Sequence, residues 1–184
     1  MGTRGSLGFI YQNKESLVYN HIDSNPKWLG KHVLKAVSKI NSVNGWNKLK
    51  ENVSKIENIK VDQLYYDVIF IDQVCNGFLQ HNINNKFIKN SLFCEYAYII
   101  NLDTMKLEFY IGYQKVPQID NKFGIENIDG FYPCRLVFVF NLNESFEVYD
   151  IIEKMEDISN TKIEDSSVIK YFRNNKLNTI KKHD

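Results

Sequence analysis

The run Ser6-Leu7-Gly8-Phe9-Ile10-Tyr11-Gln12-Asn13-Lys14-Glu15-Ser16-Leu17-Val18-Tyr19-Asn20 decides the fold. Two short apolar-rich segments, Ser6 to Gln12 and Glu15 to Asn20, flank Asn13-Lys14, and Asn tolerates the positive φ that a two-residue turn demands. The spacing predicts a β-hairpin. His21-Ile22-Asp23-Ser24-Asn25-Pro26 follows directly. Pro26 suits a first helical position, and Asn25 can accept a hydrogen bond from an otherwise unpaired helix N–H. A helix is therefore expected from about Pro26, with Leu29, Val33, Val37 and Ile40 inward and Lys27, Lys31, Lys35 and Lys39 on other faces. Gly30 weakens that helix, and a tight contact would explain the missing side chain.

Beyond this block, Asn41 to Gly45 interrupts the pattern, and Trp46, Leu49, Val53 and Ile56 repeat it as a second helix. From Gln63 to Gln80 the positions Leu64, Val68, Ile71, Cys75 and Phe78 fit a helix capped by Asp62, although Tyr65 to Ile71 alone would pass for a buried strand. Length favours the helix. The Asn-rich stretch His81 to Asn90 reads as a loop. The second half reads as sheet: Cys94 to Leu102 and Leu107 to Tyr113 form a second hairpin around Asp103-Thr104-Met105-Lys106. Its alternation sets Tyr96, Tyr98 and Ile100 on one face and Glu95, Ala97 and Ile99 on the other. Gln114 to Gly130 is a loop. Tyr132 to Leu142, with its continuous run Leu136 to Phe140, is expected to be buried on both faces. Ser145 is positioned to cap a helix carrying Val148, Ile151, Ile152 and Met155. A short helix near Ser167 to Arg173 and a polar, frayed tail from about 174 close the chain. Five strands with grouped helices give an α+β fold, a mainly antiparallel sheet with helices packed on it, read as a single domain over 1–184.

Composition bounds the function. The 184 residues carry 23 Lys plus Arg against 22 Asp plus Glu, a net charge of +1, which gives no general attraction to phosphate backbones or acidic membranes. No nucleic-acid partner is expected. The apolar runs are far shorter than the roughly 20 residues that span a bilayer, and no export signal opens the chain, so a soluble, cytoplasmic protein is expected. Asn, Ile and Lys make about a third of the residues, the mark of an AT-rich coding genome. The three cysteines, Cys75, Cys94 and Cys134, are odd in number and sit in apolar surroundings, consistent with buried thiols rather than a disulfide framework or a zinc site. Without a metal motif or a glycine-rich phosphate loop, no metal and no cofactor are expected. Tyr96, Tyr98, Tyr110 and Tyr113 either stack a ligand or pack within the sheet, and packing is the commoner use.

The concentrated polar cluster at the end of the second strand, Tyr19, Asn20, His21, Asp23 and Ser24, is the candidate site, together with Thr3 and Arg4 ahead of the first strand. In extended backbone, side chains two apart face the same way, which allows His21 and Asp23 to act together. Asp23 and Ser24 equally suit backbone hydrogen bonds at the start of a helix. Only three of the cationic residues are arginine, and Arg4 offers a planar fork for an anion or a partner for Asp23. Met1 before Gly2 is a bond that methionine aminopeptidase removes.

Met1-Gly2-Thr3-Arg4-Gly5, Tyr19 to Pro26 with Leu29-Gly30, Glu95 to Asp103, Leu107 to Tyr110 and Gly130-Phe131-Tyr132-Pro133 together resemble a family of uncharacterised proteins of phages, viruses, bacteria and fungi. That resemblance implies a shared fold, and an accessory protein of a virus or mobile element, but supplies no activity. At the level of fold, Gly2-Thr3-Arg4, the hairpin and Asn20-His21-Ile22-Asp23 also resemble the start of N-terminal-nucleophile hydrolases of the bile-salt-hydrolase type. Those enzymes use the first residue's side chain as nucleophile. Gly2 has none, so Thr3 would serve only as the first residue. Three functions are thus carried forward: a binding or accessory protein with a polar pocket for an unknown small molecule or protein, an N-terminal-nucleophile amidohydrolase, and a self-associating structural protein.

Overall fold

Gly5–Tyr11 (β1) and Lys14–Asn20 (β2) form the expected antiparallel hairpin. The structure, a computed structural model, describes residues 2–60 and 67–161. The turn lies one residue earlier than the sequence suggests: Gln12 and Asn13 both take positive φ, 52° and 58°. A second hairpin explains the choice. The Asp103 carboxylate accepts from the N–H groups of Gln12 and Asn13 at 2.7 and 3.0 Å, satisfying donors that the turn would otherwise leave to water.

The helix after β2 starts where Pro26 places it. Pro26–Gly30 is a π-helical turn, Asn25 Oδ1 accepts from Trp28 N at 3.0 Å, and Lys31–Ser42 (α1) continues it. Leu29, Val33, Val37 and Ile40 are buried as expected. Gly30 has the expected close contact: a Cβ there would meet the Tyr98 ring at 3.0 Å. Trp46–Ser54 (α2) buries Trp46, Leu49 and Val53. Glu57–Asn58 (β3) then pairs in parallel with Gln80–His81 (β4) as a separate small sheet. The expected helix from Gln63 to Gln80 is corrected by the described part of that span, where a 3-10 turn at Asp67–Ile69 leads into only Phe70–Cys75 (α3). Its buried face is Phe70, Ile71 and Val74, while Phe78 is exposed. Asp62 and Leu64 lie outside the described residues.

Tyr96–Asn101 (β5), Lys106–Ile111 (β6) and Arg135–Asn141 (β7) complete a five-stranded sheet of order β2-β1-β5-β6-β7. All pairings are antiparallel except β1 with β5, the two strands that the helical segment after β2 brings side by side. The fold is α+β. Val148–Asn160 (α4) packs on the same face as α1, and its N-cap position is Glu147, whose side chain makes no capping bond, so Ser145 is not the cap. The final helix and tail expected from the sequence fall outside the described residues. Among the described residues, no helix is long and apolar enough to cross a membrane.

Each face of the sheet buries its own apolar cluster. The helical face holds Leu7, Phe9, Tyr98, Phe109 and their neighbours against the helices. The other face holds Ile10, Leu17, Ala97, Ile99 and Tyr110 beneath loop residues Ile88 and Phe123. β7 corrects an expectation: it is an edge strand, and Val139 is 39% exposed. Its apolar run had suggested burial on both faces.

His81 makes a pH-dependent contribution. Its ring lies edge-on to Phe70 and Phe78, and its Nε2 is 2.8 Å from the Phe78 carbonyl. Burial lowers its pKa, with the bond to Phe78 opposing. Because the folded pKa is below the unfolded value of about 6.5, the unfolded state takes up the proton first. Stability should be intact above that value and fall as pH drops through the folded pKa. Urea midpoints across pH 5–7.5 should show this slope in the native chain and a flatter profile in His81→Leu; parallel profiles would remove His81 from the account.

Candidate functional site

The residues picked out near the N-terminus form a hydrogen-bonded clamp. The Thr3 hydroxyl donates to Asp23 Oδ1 at 2.8 Å and accepts from Ser24 N at 2.8 Å, while Ser24 N also approaches the Thr3 carbonyl at 3.1 Å. Asp23 Oδ1 takes a further bond from Asn25 Nδ2 at 2.7 Å. Asn20 Nδ2 donates to the Ile22 carbonyl and to Ser24 Oγ. From the central sheet, the Tyr98 hydroxyl donates to the Ser24 carbonyl at 3.0 Å. These bonds fasten the segment before β1 to the chain between β2 and α1, so Asp23 and Ser24 serve the backbone in the way their position allowed.

Other candidates stand apart from that clamp. His21 is exposed and pairs through Nδ1 with the Tyr19 hydroxyl at 3.0 Å, not with Asp23. The Arg4 guanidinium lies over the Phe93 ring at 4.9 Å, not on Asp23, and its backbone is paired with Glu95: Arg4 N donates to Glu95 Oε1 at 3.2 Å, and Glu95 N to Arg4 O at 2.9 Å. Glu95, paired in this way with Arg4, also lines a cavity.

That cavity, of about 310 Å³, opens where β5 begins and β6 ends. Tyr96, Ile111, Gly112 and Tyr113 line it from the sheet side, Glu95 and Lys115 at its rim, and Ser159 and Thr161 from the end of α4. Its position follows from register. Asn20 pairs with Gly5, Gly5 with Tyr96, Tyr96 with Ile111, and Ile111 with Arg135, so one row crosses all five strands. Residues of one row face the same side of a sheet. Gly5 contributes no side chain, and a Cβ there would lie 2.6 Å from both Ser24 Cβ and the Tyr96 carbonyl. The two ends of the row are unusual: Asn20 Oδ1 and Arg135 Nη1 are buried and make no hydrogen bond among the described residues. Buried polar atoms without a partner are rare in folded proteins.

The surroundings of the cavity are acidic on the Glu95 side. Burial first, then the charges of Glu95, Asp23 and Glu156, raise the Tyr96 pKa. Burial, then the charge and hydrogen bond of Glu95, raise that of Tyr113, with Arg4 opposing. Both phenols therefore remain protonated and able to donate at neutral pH. The cysteines offer no activated nucleophile: Cys94 is fully buried, with its pKa pushed well up by burial and by Cys134, and burial and Asp72 push Cys75 up to about 11. Among the described residues, no three His, Cys, Asp or Glu side chains gather as metal ligands. A larger groove of about 600 Å³ runs between the β7 edge and the start of α4, but it is remote in the sheet from the N-terminal clamp.

Of the cavity residues, Tyr96 and Tyr113 belong to the tyrosine group weighed for ligand stacking, whereas Glu95 and Lys115, and the buried Arg135, were not singled out in the sequence. Arg135 had one readable signal: it is an arginine, scarce in this chain, set inside its most apolar stretch. Comparison of the chain with protein-family models, with curated proteins and with solved structures finds no match.

Proposed function

We propose that the chain is a binding protein that takes a small polar ligand in the cavity between the β5–β6 ends and α4, beside the N-terminal hairpin. One observation carries this reading: an open cavity is lined by the Tyr96 and Tyr113 phenols together with Glu95, Gln114 and Lys115, a set of hydrogen-bonding groups of both charges gathered around one space. A volume of about 310 Å³ suits a small metabolite. The accessory role in a virus or mobile element rests on the sequence resemblance alone. Thermal-shift measurements with amino acids, sugar phosphates and nucleotides test the binding reading. At least one class is expected to stabilise the chain, and Ser159→Arg, which places a long side chain in the cavity, is expected to weaken its binding at least tenfold (about 1.4 kcal/mol). No stabilisation by any class, or undiminished binding by Ser159→Arg, contradicts the reading.

A second reading is favoured by the contact of the Thr3 hydroxyl with Asp23 at 2.8 Å. In an N-terminal-nucleophile amidohydrolase, a terminal hydroxyl attacks the amide carbon and its own α-amine takes the proton. This chemistry requires a mature chain beginning at Thr3. Intact-mass measurement decides it: a first residue Thr3 supports the hydrolase, whereas Met1 or Gly2 eliminates this mechanism.

A further inference from the structure

The carboxylate at the rim gives the cavity a charge preference. Glu95 is partly buried, and among the described residues its carboxylate is in no ion pair. Its partners are neutral: Arg4 N, which donates to Oε1 at 3.2 Å, and the Tyr113 hydroxyl. A carboxylate has about four acceptor positions, so these two bonds leave it able to take more. The cations at hand are turned to aromatic rings instead. The Arg4 guanidinium lies 4.9 Å from the centre of Phe93, and Lys115 Nζ, from the cavity lining, 3.5 Å from that of Phe131.

Tyr113 supplies a second, independent observation. Its φ is 56°, a left-handed conformation that a bulky aromatic residue rarely adopts. Two bonds to Ser91 hold the backbone there: Tyr113 N donates to the Ser91 carbonyl at 2.7 Å, and Gln114 N to the Ser91 hydroxyl at 2.9 Å. Such outliers persist only where the surrounding structure fixes them, and they gather at ligand sites. Here the outcome is a phenol bonded to Glu95 and still 58% exposed, lining the same space as Tyr96 of β5.

We infer that the cavity binds its ligand through a primary ammonium group, held on the Glu95 carboxylate and against the Tyr96 and Tyr113 rings. This rests on the cavity being a ligand site. An ammonium donates up to three hydrogen bonds and is attracted by aromatic faces as well as by carboxylates. The charges of Asp23 and Glu156 also reach Tyr96 and add to that of Glu95, although Glu156 is already bridged to Lys27 at 2.9 Å. A phosphate placed against Glu95 would meet repulsion from the same groups. Amines and amino acids are therefore favoured over sugar phosphates and nucleotides.

Thermal unfolding of the full chain in ethylammonium chloride and in phenethylammonium chloride, each against sodium chloride at equal ionic strength, tests the inference, with 2-phenylethanol as the neutral counterpart. In the native chain at least one ammonium should raise Tm saturably, by about 3–6 °C at ten times its Kd, and 2-phenylethanol should not. Glu95→Gln, which keeps an acceptor for Arg4 N without the charge, should lose the response. Tyr113→Asn, which suits the left-handed backbone without the ring, should retain less than half of it. No rise with either ammonium, an equal rise with 2-phenylethanol, or an undiminished rise in Glu95→Gln overturns the inference. If a sugar phosphate or nucleotide binds the native chain but not Ser159→Arg while neither ammonium binds, the cavity remains a ligand site and only its ammonium preference fails; undiminished binding by Ser159→Arg instead defeats the cavity reading itself.

Discussion

Replacing Lys122 with methionine is expected to destabilise the chain by about 3 kcal/mol. Glu108 projects from β6 into the apolar cluster beneath the loops, with its side chain 8% exposed. Its oxygens are fully engaged: Oε1 accepts from Asn101 Nδ2 at 2.9 Å and Lys122 Nζ at 2.8 Å, and Oε2 from the Tyr110 hydroxyl at 2.7 Å and Lys122 Nζ at 2.6 Å. Burial, then the Glu108 charge, push the Tyr110 pKa far up, so its hydroxyl remains a donor. Lysine supplies the only positive charge among these partners. Removing one member of a buried pair costs about 3–5 kcal/mol because the other charge is left in the interior. The Lys122 side chain is 34% exposed, so water can replace part of what is lost, which sets the expectation at the lower end. Adding Glu108→Gln to Lys122→Met should recover at least half of the loss by removing the stranded charge. Urea unfolding measures both; a Lys122→Met loss below about 1 kcal/mol would place this pair among ordinary surface bridges.

Gly112→Ala is expected to cost about 3 kcal/mol or more, a large fraction of the roughly 5–15 kcal/mol that holds a domain folded. Gly112 follows β6 at the floor of the cavity, where the segment 91–95 crosses it. Its N–H donates to the Glu95 carbonyl at 2.8 Å, and the next N–H, of Tyr113, to the Ser91 carbonyl at 2.7 Å. A Cβ would lie 2.1 Å from the Cys94 carbonyl oxygen and 2.8 Å from that of Ser91. These are backbone atoms, so no rotamer change can relieve the clash. Gly77 offers the contrast: nothing lies within 4 Å of a Cβ there, but its φ is 83°. Gly77→Ala should therefore cost only about 1 kcal/mol, through backbone conformation alone. Equal stability of the Gly112→Ala and Gly77→Ala variants would mean that the segment 91–95 does not approach β6 so closely.

Local chemistry was legible in the sequence wherever neighbouring residues determine it. The first hairpin, the helix start at Asn25-Pro26 and the inward face from Leu29 to Ile40 follow from turn, capping and periodicity rules. Gly30 was readable as a close contact, although its partner Tyr98 was not, because the two lie 68 positions apart and meet only through tertiary packing. Misread features share a cause in tertiary contacts. Asp103 shifts the first turn to Gln12-Asn13 from another hairpin. β7 is apolar enough for a central strand, yet its place at the edge follows from strand order, which periodicity does not encode. The site divides in the same way. Asn20, Asp23 and Ser24 were found because they are concentrated in sequence, and with Thr3 from ahead of the first strand they assemble as a clamp. The row from Asn20 through Tyr96 and Ile111 to Arg135 exists only once β1 and β5 pair in parallel, a pairing no local pattern announces. The scarcity of arginine pointed to Arg4; the buried unpartnered arginine is Arg135.

A titration of the amide NMR spectrum with amino acids, sugar phosphates and nucleotides tests most directly whether the cavity between the β5–β6 ends and α4 is the ligand site. Saturable shifts centred on Tyr96, Gly112, Tyr113 and Lys115 are predicted for at least one class. Shifts confined to the groove between β7 and α4, around Phe146 and Lys154, or no saturable shift with any class, would contradict it.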